Sequence, residues 1–216
     1  MKLVTFFNGK YARTFLVRGY SYYRRACHYY LDTRIGKDSL EKVIESKHQD
    51  QGANETQSTD YRVLKNIFND YKLTDSDVFV DVGCGQGRVI SYLIYKKSKC
   101  RFIGIELDKE VMEYTQNRFK DFDNVSIIND NVLTCIPEDA TVFYLFNPFN
   151  GNVFVAFIEE IEKKIHHKIH IIYSNDLYGS FLTNRKGWSI ESQKNIQRKF
   201  VRPASVTIFK YEPLKY

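Results

Sequence analysis

Short β-rich runs alternate with helical patterns from about residue 77 onward. The runs expected to form buried strands are Val78–Val82, Phe102–Ile105, Val125–Ile128, Thr141–Phe146 and Ile169–Tyr173. Between them, apolar residues recur at the three- and four-residue spacing of amphipathic helices. This alternation predicts a parallel sheet that is covered by helices on both faces.

The last part of the chain changes character. Trp188–Lys199 and Ser205–Tyr211 are two further β-rich runs, separated by Arg202 and Pro203. Two strands joined by so short a connection pair antiparallel, so we expect them to close one edge of the sheet. The fold class predicted is α/β: a doubly wound, seven-stranded, mostly parallel, Rossmann-like sheet with an antiparallel edge strand.

Two segments precede this core. An apolar stripe from Tyr61 to Tyr71 predicts a helix, with Ser58 or Thr59 as its N-cap. The polar stretch Gln49–Thr59 contains a glycine and predicts a linker or mobile loop. We expect residues 1–58 to form a basic, aromatic helical cap with a linker, and residues 59–216 to form the main domain.

The composition limits the class of protein. Of the 216 residues, 43% are hydrophobic and 27% are charged, as in globular proteins. No apolar run approaches the roughly 20 residues of a membrane helix, and Leu3–Phe7 is too short for a signal-peptide core. The four cysteines are widely spaced, which argues against a zinc site or a disulfide framework. We expect a cytoplasmic protein without membrane contact or bound metal.

The net charge of +6 is concentrated at the N-terminus, because the first 35 residues hold seven Lys or Arg and one Asp. Arginines there are interleaved with tyrosines, for example Tyr22, Tyr23, Arg24 and Arg25. Such a segment can contact nucleic acid, act as a lid that selects an anionic substrate, or form an amphipathic helix whose tyrosines rest on the core. A second basic stretch, residues 185–202, favours an anionic partner if it falls on the same face.

A glycine-rich turn, Asp81–Arg88, lies between the first predicted strand and the following helix. Gly83, Gly85 and Gly87 allow a tight turn and let a ligand press against main-chain atoms that a Cβ would block. In open α/β sheets, ligands bind in the crevice at the carboxyl ends of the strands. The turn therefore marks a candidate ligand site.

Polar residues follow the next two predicted strands. Glu106 ends the second strand, 25 residues after Asp81, where a carboxylate can accept both hydroxyls of a ribose. Asp130 and Asn131 follow the third strand, where a side chain can reach the amine of an adenine. Caps that simply face solvent would explain each residue singly, but not three convergent groups at neighbouring strand ends.

The segments Asp81–Val89, Ile105–Asp108 and Asn129–Leu133 resemble the successive S-adenosylmethionine (AdoMet) motifs of class I methyltransferases. The resemblance covers about residues 60–212 and implies AdoMet-dependent methyl transfer. It implies that the turn glycines pass beneath the methionine and ribose, while Asp81 orients the turn or reaches the methionine amine. It further implies that Glu106 holds the ribose and that Leu107 lies against the adenine.

The same resemblance implies that Asp130 and the backbone of Asn131 contact the edge of the adenine. Cys84, inside the turn, is expected to pack beside the cofactor as a small residue, since no histidine is near it in sequence. The competing cofactor class is a nicotinamide dinucleotide, whose fingerprint is G-x-G-x-x-G. Here the spacing is G-x-G-x-G, and Arg88 occupies the place of the third glycine, so an NAD(P)-dependent oxidoreductase is the less favoured reading.

A second candidate site, Asn147-Pro148-Phe149, follows the fourth predicted strand. Class I enzymes that methylate nitrogen often carry Asn/Asp-Pro-Pro-aromatic here. The resemblance implies that Asn147, beside the cofactor, and a backbone carbonyl accept protons from the target amine, while Phe149 covers it. This chain lacks one proline, and Asn150 follows the ring. The alternative is a strand-ending turn that only lines the cofactor pocket.

Other features leave the acceptor open. The histidines of residues 166–170 enter a buried strand and are interpreted as structural or solvated, with no metal. The region before the core resembles that of a group of small bacterial methyltransferases, which implies that Asp32 or Tyr61 lies near the cofactor. We expect methylation of an unidentified, possibly anionic acceptor: a small molecule, a protein or, less favoured, a nucleic acid. A non-catalytic AdoMet- or RNA-binding module is the alternative.

Overall fold

The computed structural model describes residues 9–34, 38–41 and 43–214; the side chains of residues 9–12 lie outside that description. The N-terminal run Leu3–Phe7 also lies outside it. The helices are α1 (Gly9–Asp32), α2 (Tyr61–Asp70), α3 (Arg88–Tyr95), α4 (Lys109–Phe119) and α5 (Gly151–Lys164). Two short 3₁₀ helices span Gln49–Gln51 and Gly179–Leu182.

The seven strands form one sheet. They are β1 (Val78–Val82), β2 (Arg101–Glu106), β3 (Val125–Asn129), β4 (Val142–Leu145), β5 (Ile169–Ser174), β6 (Trp188–Ile196) and β7 (Ala204–Tyr211). Their order is β3-β2-β1-β4-β5-β7-β6. The first five strands are parallel, whereas β7 pairs antiparallel with both β5 and β6. The predicted fold class is confirmed, and the strand of reversed direction, β7, lies one position in from the edge.

The predicted buried strands form because their side chains face helices on both sides. All four residues of β4 are buried, as expected of a central parallel strand. The aromatic rings of Phe79, Phe102 and Tyr144 on neighbouring strands lie on one face, with α2 and α3. The other face carries Phe143 and packs against α5. The core therefore extends on both sides of the sheet.

Helix α2 begins one residue later than the sequence pattern predicts. Its N-cap is Asp60, whose carboxylate accepts the backbone N–H of Arg62, so the expectation of Ser58 or Thr59 is wrong. A carboxylate at this position also interacts favourably with the helix dipole. Five residues of its stripe are buried, and burial of each apolar side chain is worth about 1.5–3 kcal/mol. They are Tyr61, Val63, Leu64, Ile67 and Phe68.

Parallel pairing brings the carboxyl ends of the strands together. Val82 at the end of β1 pairs with Ile105 of β2 and with Leu145 of β4, and Glu106 pairs with Asn129. The chain connections reverse between β1 and β4, and this is where open α/β sheets form a ligand crevice. Among the described residues, no helix is long and apolar enough to cross a membrane.

Candidate functional site

The turn after β1 has a backbone that requires glycine. Gly83, Gly85 and Gly87 have φ angles of 68°, 51° and 79°, in the left-handed region that side chains disfavour. A Cβ on Gly83 would lie 2.6 Å from Cβ of Pro148, and one on Gly85 would lie 2.6 Å from Cγ2 of Thr56. The turn is therefore held close to two other segments, which only glycine permits.

Glu106 ties this turn to the end of β2. One oxygen of its carboxylate accepts the backbone N–H of Gly85 at 2.9 Å, and the other accepts that of Asp108 at 3.0 Å. Burial raises the pKa of Glu106, although these backbone hydrogen bonds oppose the shift. Each carboxylate oxygen retains a second lone pair, so the side chain can still accept hydroxyl groups of a ligand.

Asp81 is the least satisfied polar group of the site. Its carboxyl is buried, and Oδ2 has no hydrogen-bond partner. Burial, together with the charge of Glu106, raises the pKa of Asp81 to about 8. The side chain is therefore protonated at neutral pH, and a positively charged ligand beside it would favour the ionised form.

A cavity of about 1070 Å³ extends over these groups. Most residues predicted to bind the cofactor line it: Asp81, Gly83, Cys84, Gly85, Glu106, Leu107, Asp130 and Asn131. Pro148 and Phe149 of the predicted acceptor site line it as well. Gly87 and Asn147 are not among the lining residues. Gly87 is the N-cap of α3 and contacts Phe119 of α4, while Asn147 borders an adjoining open cavity.

The carboxylate of Asp130 is held in a local turn. Its Oδ1 accepts the backbone N–H of Asn131 at 2.7 Å and the hydroxyl of Thr134 at 3.0 Å. The amide oxygen of Asn131 accepts the backbone N–H of Leu133. These bonds fix the third strand end beside the cavity, so the three strand ends singled out from the sequence meet at one site.

The end of β4 presents an unpaired acceptor. Asn147 has a φ of 46°, and its amide nitrogen donates to the carbonyl of Asn175 at 2.8 Å. Its amide oxygen is buried and has no partner. The carbonyl of Pro148 accepts the backbone N–H of Asn54 at 3.0 Å. The side chain of Asn147 is thus held with its oxygen free, which costs free energy unless a donor occupies the site.

Two phenylalanines flank this end of β4, and they have different surroundings. The ring of Phe149 is 6% exposed and packs on Phe157 of α5, with centroids 5.6 Å apart. Phe146 is half-buried and lines both the main cavity and the open cavity at Asn147. The sequence analysis missed Phe146, because it reads as the last residue of a buried strand.

Residues 44–59 form a roof over the cavity. Ile44 pairs with Thr56, and Ala53 pairs with Phe149. The backbone N–H of Asn150 donates to the carbonyl of Gly52 at 2.8 Å, which fixes the roof to the loop after β4. Backbone hydrogen bonds therefore join Gln49–Thr59 to the loop after β4, and its interpretation as a linker or mobile loop stays a prediction.

Arg88, the residue that distinguishes this turn from a dinucleotide fingerprint, is buried. Its guanidinium donates to both oxygens of Asp32, at 3.0 and 2.9 Å. The hydroxyl of Tyr61 donates to the same carboxylate at 2.7 Å. Asp32 and Tyr61 do not line the main cavity; they support Arg88, which does. The ion pair between Arg88 and Asp32 joins the start of α3 to the end of α1. The division of the chain into two parts at residue 58 stays a prediction.

A second ionic cluster fixes α1 next to this pair. His28 lies between Glu41 and Asp60, and Arg24 contacts Asp60 at 3.2 Å. Burial lowers the pKa of His28, but the hydrogen bonds with Asp60 and Glu41 outweigh it, and the net pKa is raised. The last turns of α1 are therefore attached to the core by buried or half-buried charges.

The remaining candidate residues, Cys84 and the histidines of residues 166–170, have environments that indicate structural roles. Burial raises the pKa of the Cys84 thiol, so it stays protonated and is a poor nucleophile. His167 hydrogen-bonds to the carbonyl of Ala140, and His170 hydrogen-bonds to Tyr71. Within the described ranges, no group of three His, Cys, Asp or Glu side chains is placed to hold a metal ion.

Known proteins match the segments of the chain that form this site. The family described as "Putative methyltransferase" matches residues 75–182, which include β1, β2 and the end of β4. The rRNA adenine N-6-methyltransferase of Lysinibacillus sphaericus is 25% identical over 99 residues, 45% of this chain and 39% of that protein. The tRNA (guanine-N(7)-)-methyltransferase of Clostridium botulinum is 28% identical over 78 residues, 32% of this chain and 36% of that protein.

Both of these curated relatives are matched over less than half of their own length. Among solved structures, the RNA methyltransferase of Salinibacter ruber in complex with S-adenosyl-L-homocysteine superposes with a TM-score of 0.56 at 16% identity. The match covers 74% of this chain and 95% of that chain. At this identity the likeness establishes the fold.

Proposed function

Because the chain belongs to the class I AdoMet-dependent methyltransferase family, we propose that it transfers the methyl group of AdoMet to a nitrogen acceptor at the end of β4. The observation that carries the proposal is the buried, unpaired carboxyl of Asp81 beside the glycine turn. AdoMet carries positive charge on its sulfonium and amine, and such a ligand compensates a buried carboxylate.

The cofactor residues are assigned by this proposal as follows. Asp81 meets the positively charged methionine end, and the backbone of Gly83 and Gly85 passes beneath it. Glu106 accepts the ribose hydroxyls, since its oxygens face the cavity while backbone N–H groups hold it in place. Leu107 contacts the adenine, and the Asp130–Asn131 turn reads its edge. Bound AdoMet supplies a methyl group on a positively charged sulfur that leaves as a neutral thioether.

The acceptor nitrogen is positioned by Asn147 in this proposal. Its unpaired amide oxygen accepts an N–H of the acceptor, which turns the nitrogen lone pair toward the methyl carbon. Alignment of the two reacting atoms accounts for most of the catalysis expected here. Phe146, which lines both cavities, supplies the ring against which a flat acceptor stacks. No base is required for a neutral nitrogen, and its proton leaves to solvent after transfer.

The relatives support an RNA base as the acceptor. The two curated relatives act, by their names, on adenine of rRNA and guanine of tRNA. The adenine acceptor is an exocyclic amine, whose N–H an amide oxygen can accept, whereas N7 of guanine is a ring nitrogen without a hydrogen. Both bases are flat, which fits stacking on the half-buried ring of Phe146. A cytoplasmic location agrees with this assignment, because all four cysteines are free thiols, as in a reducing compartment.

The test compares Asn147→Ala with Asn152→Ala, a matched control on the exposed side of α5. Total RNA is incubated with methyl-labelled AdoMet, and AdoMet affinity is measured by calorimetry. We expect Asn147→Ala to lower turnover about 10²-fold with AdoMet affinity within about threefold, and the control to match the wild type. Unchanged turnover would refute the role of Asn147. Binding of NADH without binding of AdoMet would refute the cofactor assignment, and AdoMet binding without transfer to any acceptor would indicate a non-catalytic module.

A further inference from the structure

Helix α1 leaves the core over its first half. His28 and Asp32, near its end, are buried, whereas every described side chain from residue 13 to residue 19 is exposed. Phe15 and Leu16 are 79% and 61% exposed. A helix that only packs against a core turns such residues inward, so the exposed half of α1 has another role.

The tyrosines of α1 face solvent as well. Tyr22, Tyr23, Tyr29 and Tyr30 are 72%, 67%, 57% and 56% exposed. For these four tyrosines, the interpretation in which they rest on the core is wrong. At 100° per residue, Tyr23 and Tyr30 lie about 60° and 80° around the helix from Tyr20, whereas Tyr22 and Tyr29 lie on the side opposite Tyr20. Exposed rings in this number mark an interaction surface.

The second basic stretch of the sequence lies against this helix. The ring of Phe200, in the turn between β6 and β7, contacts that of Tyr20 at 5.7 Å. The ammonium group of Lys199 lies 6.0 Å from the centre of the same Tyr20 ring. The side of α1 that carries Tyr20, Tyr23 and Tyr30 and the turn at residues 197–203 therefore form one surface, which we call the arginine–tyrosine surface.

This surface is strongly basic. No Asp or Glu occurs between residues 9 and 31, or between residues 192 and 211. Arg13, Arg34 and Lys199 are exposed, and no ion pair involving them is found among the described residues. A second copy of the chain would bring like charges together, which opposes self-association through this face. The charge instead fits a polyanion.

The spacing of rings and charges fits single-stranded RNA in particular. Arginines contact phosphates, and tyrosine rings stack on unpaired bases, with each stacked base worth about 1–3 kcal/mol. A cavity of about 790 Å³ leads from this surface toward the acceptor site. Arg24 and Arg198 line it together with Thr59 and Phe146, and the last two also line the main cavity.

We propose that the arginine–tyrosine surface docks a single-stranded RNA segment and presents one of its bases to the cavity at Phe146. That the ligand is RNA and that one of its bases is methylated rest on the proposed function. Binding of RNA to this surface does not require AdoMet. Both parts of the surface lie outside residues 75–182, which match the family. The substrate would therefore be selected by segments outside the part of the chain that matches the family.

The test is fluorescence anisotropy of a labelled single-stranded RNA of mixed sequence with the full chain in the absence of AdoMet. Two double variants are compared with the wild type: Arg13→Ala with Arg34→Ala, and Tyr23→Ala with Tyr30→Ala. The control, Lys109→Ala with Lys120→Ala, removes the same charge from exposed positions at the two ends of α4. All substituted side chains are exposed, and circular dichroism checks that each variant folds.

We expect the arginine variant to lose affinity for RNA at least tenfold. It should also lower the slope of log K against log salt by about 1.4, because it removes two phosphate contacts that contribute about 0.7 each. The tyrosine variant should lose about tenfold with an unchanged slope. The lysine control should stay within about twofold. Equal losses in the lysine control would mean nonspecific charge attraction and would overturn the proposal.

Two further outcomes also overturn the proposal. One is binding of phosphatidylserine vesicles, but not RNA, through the same residues; the other is a dimer in sedimentation that Tyr23→Ala dissociates, with no RNA binding. AdoMet calorimetry on the same proteins separates the two proposals. RNA binding without AdoMet binding leaves the docking surface standing and removes the proposed function. If AdoMet binds and no variant changes the affinity for RNA, the proposed function stands and the docking surface is ruled out.

Discussion

AdoMet affinity should depend steeply on pH through Asp81. In the free protein, burial and the charge of Glu106 raise the pKa of Asp81 to about 8, so below that pH the carboxyl holds a proton. A bound cation favours the ionised carboxylate and lowers its pKa. Binding therefore releases a proton, and the affinity rises as the pH rises toward 8.

The expected size follows from the titration. While Asp81 is protonated in the free protein and ionised in the complex, the association constant increases about tenfold per pH unit. Between pH 6 and pH 7.5 this amounts to an increase of about thirtyfold. The range stops at pH 7.5 because an α-amino group loses its own proton near pH 8, and loss of the ligand's positive charge would mask the effect.

The assay is isothermal calorimetry of AdoMet at several pH values, in pairs of buffers with different ionisation enthalpies. The wild type should release close to one proton per AdoMet at pH 6.5. Asp81→Asn should release none, bind with little pH dependence, and bind more weakly than the wild type at pH 7.5. An affinity that is flat from pH 6 to 7.5, with no proton release in the wild type, would refute the reasoning about Asp81.

Three further predictions concern stability. Gly83→Ala places a Cβ at a φ of 68° and should cost about 1–3 kcal/mol and abolish AdoMet binding, measured by urea unfolding and calorimetry. Arg88→Met leaves the buried carboxylate of Asp32 unpaired and should cost about 3–5 kcal/mol in urea unfolding. The pKa of His28 is raised in the folded protein, so protonated His28 stabilises the fold. This contribution is complete below about pH 6.5 and is lost as the pH rises through the pKa of the folded state. His28→Gln should therefore lose more stability at pH 6 than at pH 8.

Matched variants separate these effects from general damage. Gly19→Ala in α1 meets no atom within 4 Å and should stabilise the helix by about 0.5–1 kcal/mol. Lys109→Ala breaks an exposed pair with Glu113 and should change stability by less than about 0.5 kcal/mol. If Arg88→Met cost no more than Lys109→Ala, the buried pair would not hold α1 to the core.

The sheet and the turn were predictable because their signals are local. The runs around Val80 and Ile103 are apolar over whole strands, and the three glycines of the turn each have a positive φ. The convergence of Glu106 and Asp130 followed from parallel pairing alone, since parallel strands end at the same side of a sheet. Local patterns therefore predicted most of the residues that meet at the main cavity, and their roles in cofactor binding stay predictions.

Contacts between distant segments were not predictable in this way. Arg88 reads as a solvated charge, because nothing near it in sequence shows that Asp32 lies opposite it in the fold. The roof at residues 44–59 has no apolar period, since its order comes from hydrogen bonds with the loop after β4. Asp60 was missed as the N-cap of α2 because Ser58 and Thr59 precede it and are equally suitable caps.

The attachment of the roof couples the two sides of the site. The segment that covers Gly85 through Thr56 is the same one whose Asn54 holds the backbone of Asn147 and Pro148. A displacement of this segment therefore acts on the glycine turn and on the end of β4 together, so the geometry of one depends on that of the other.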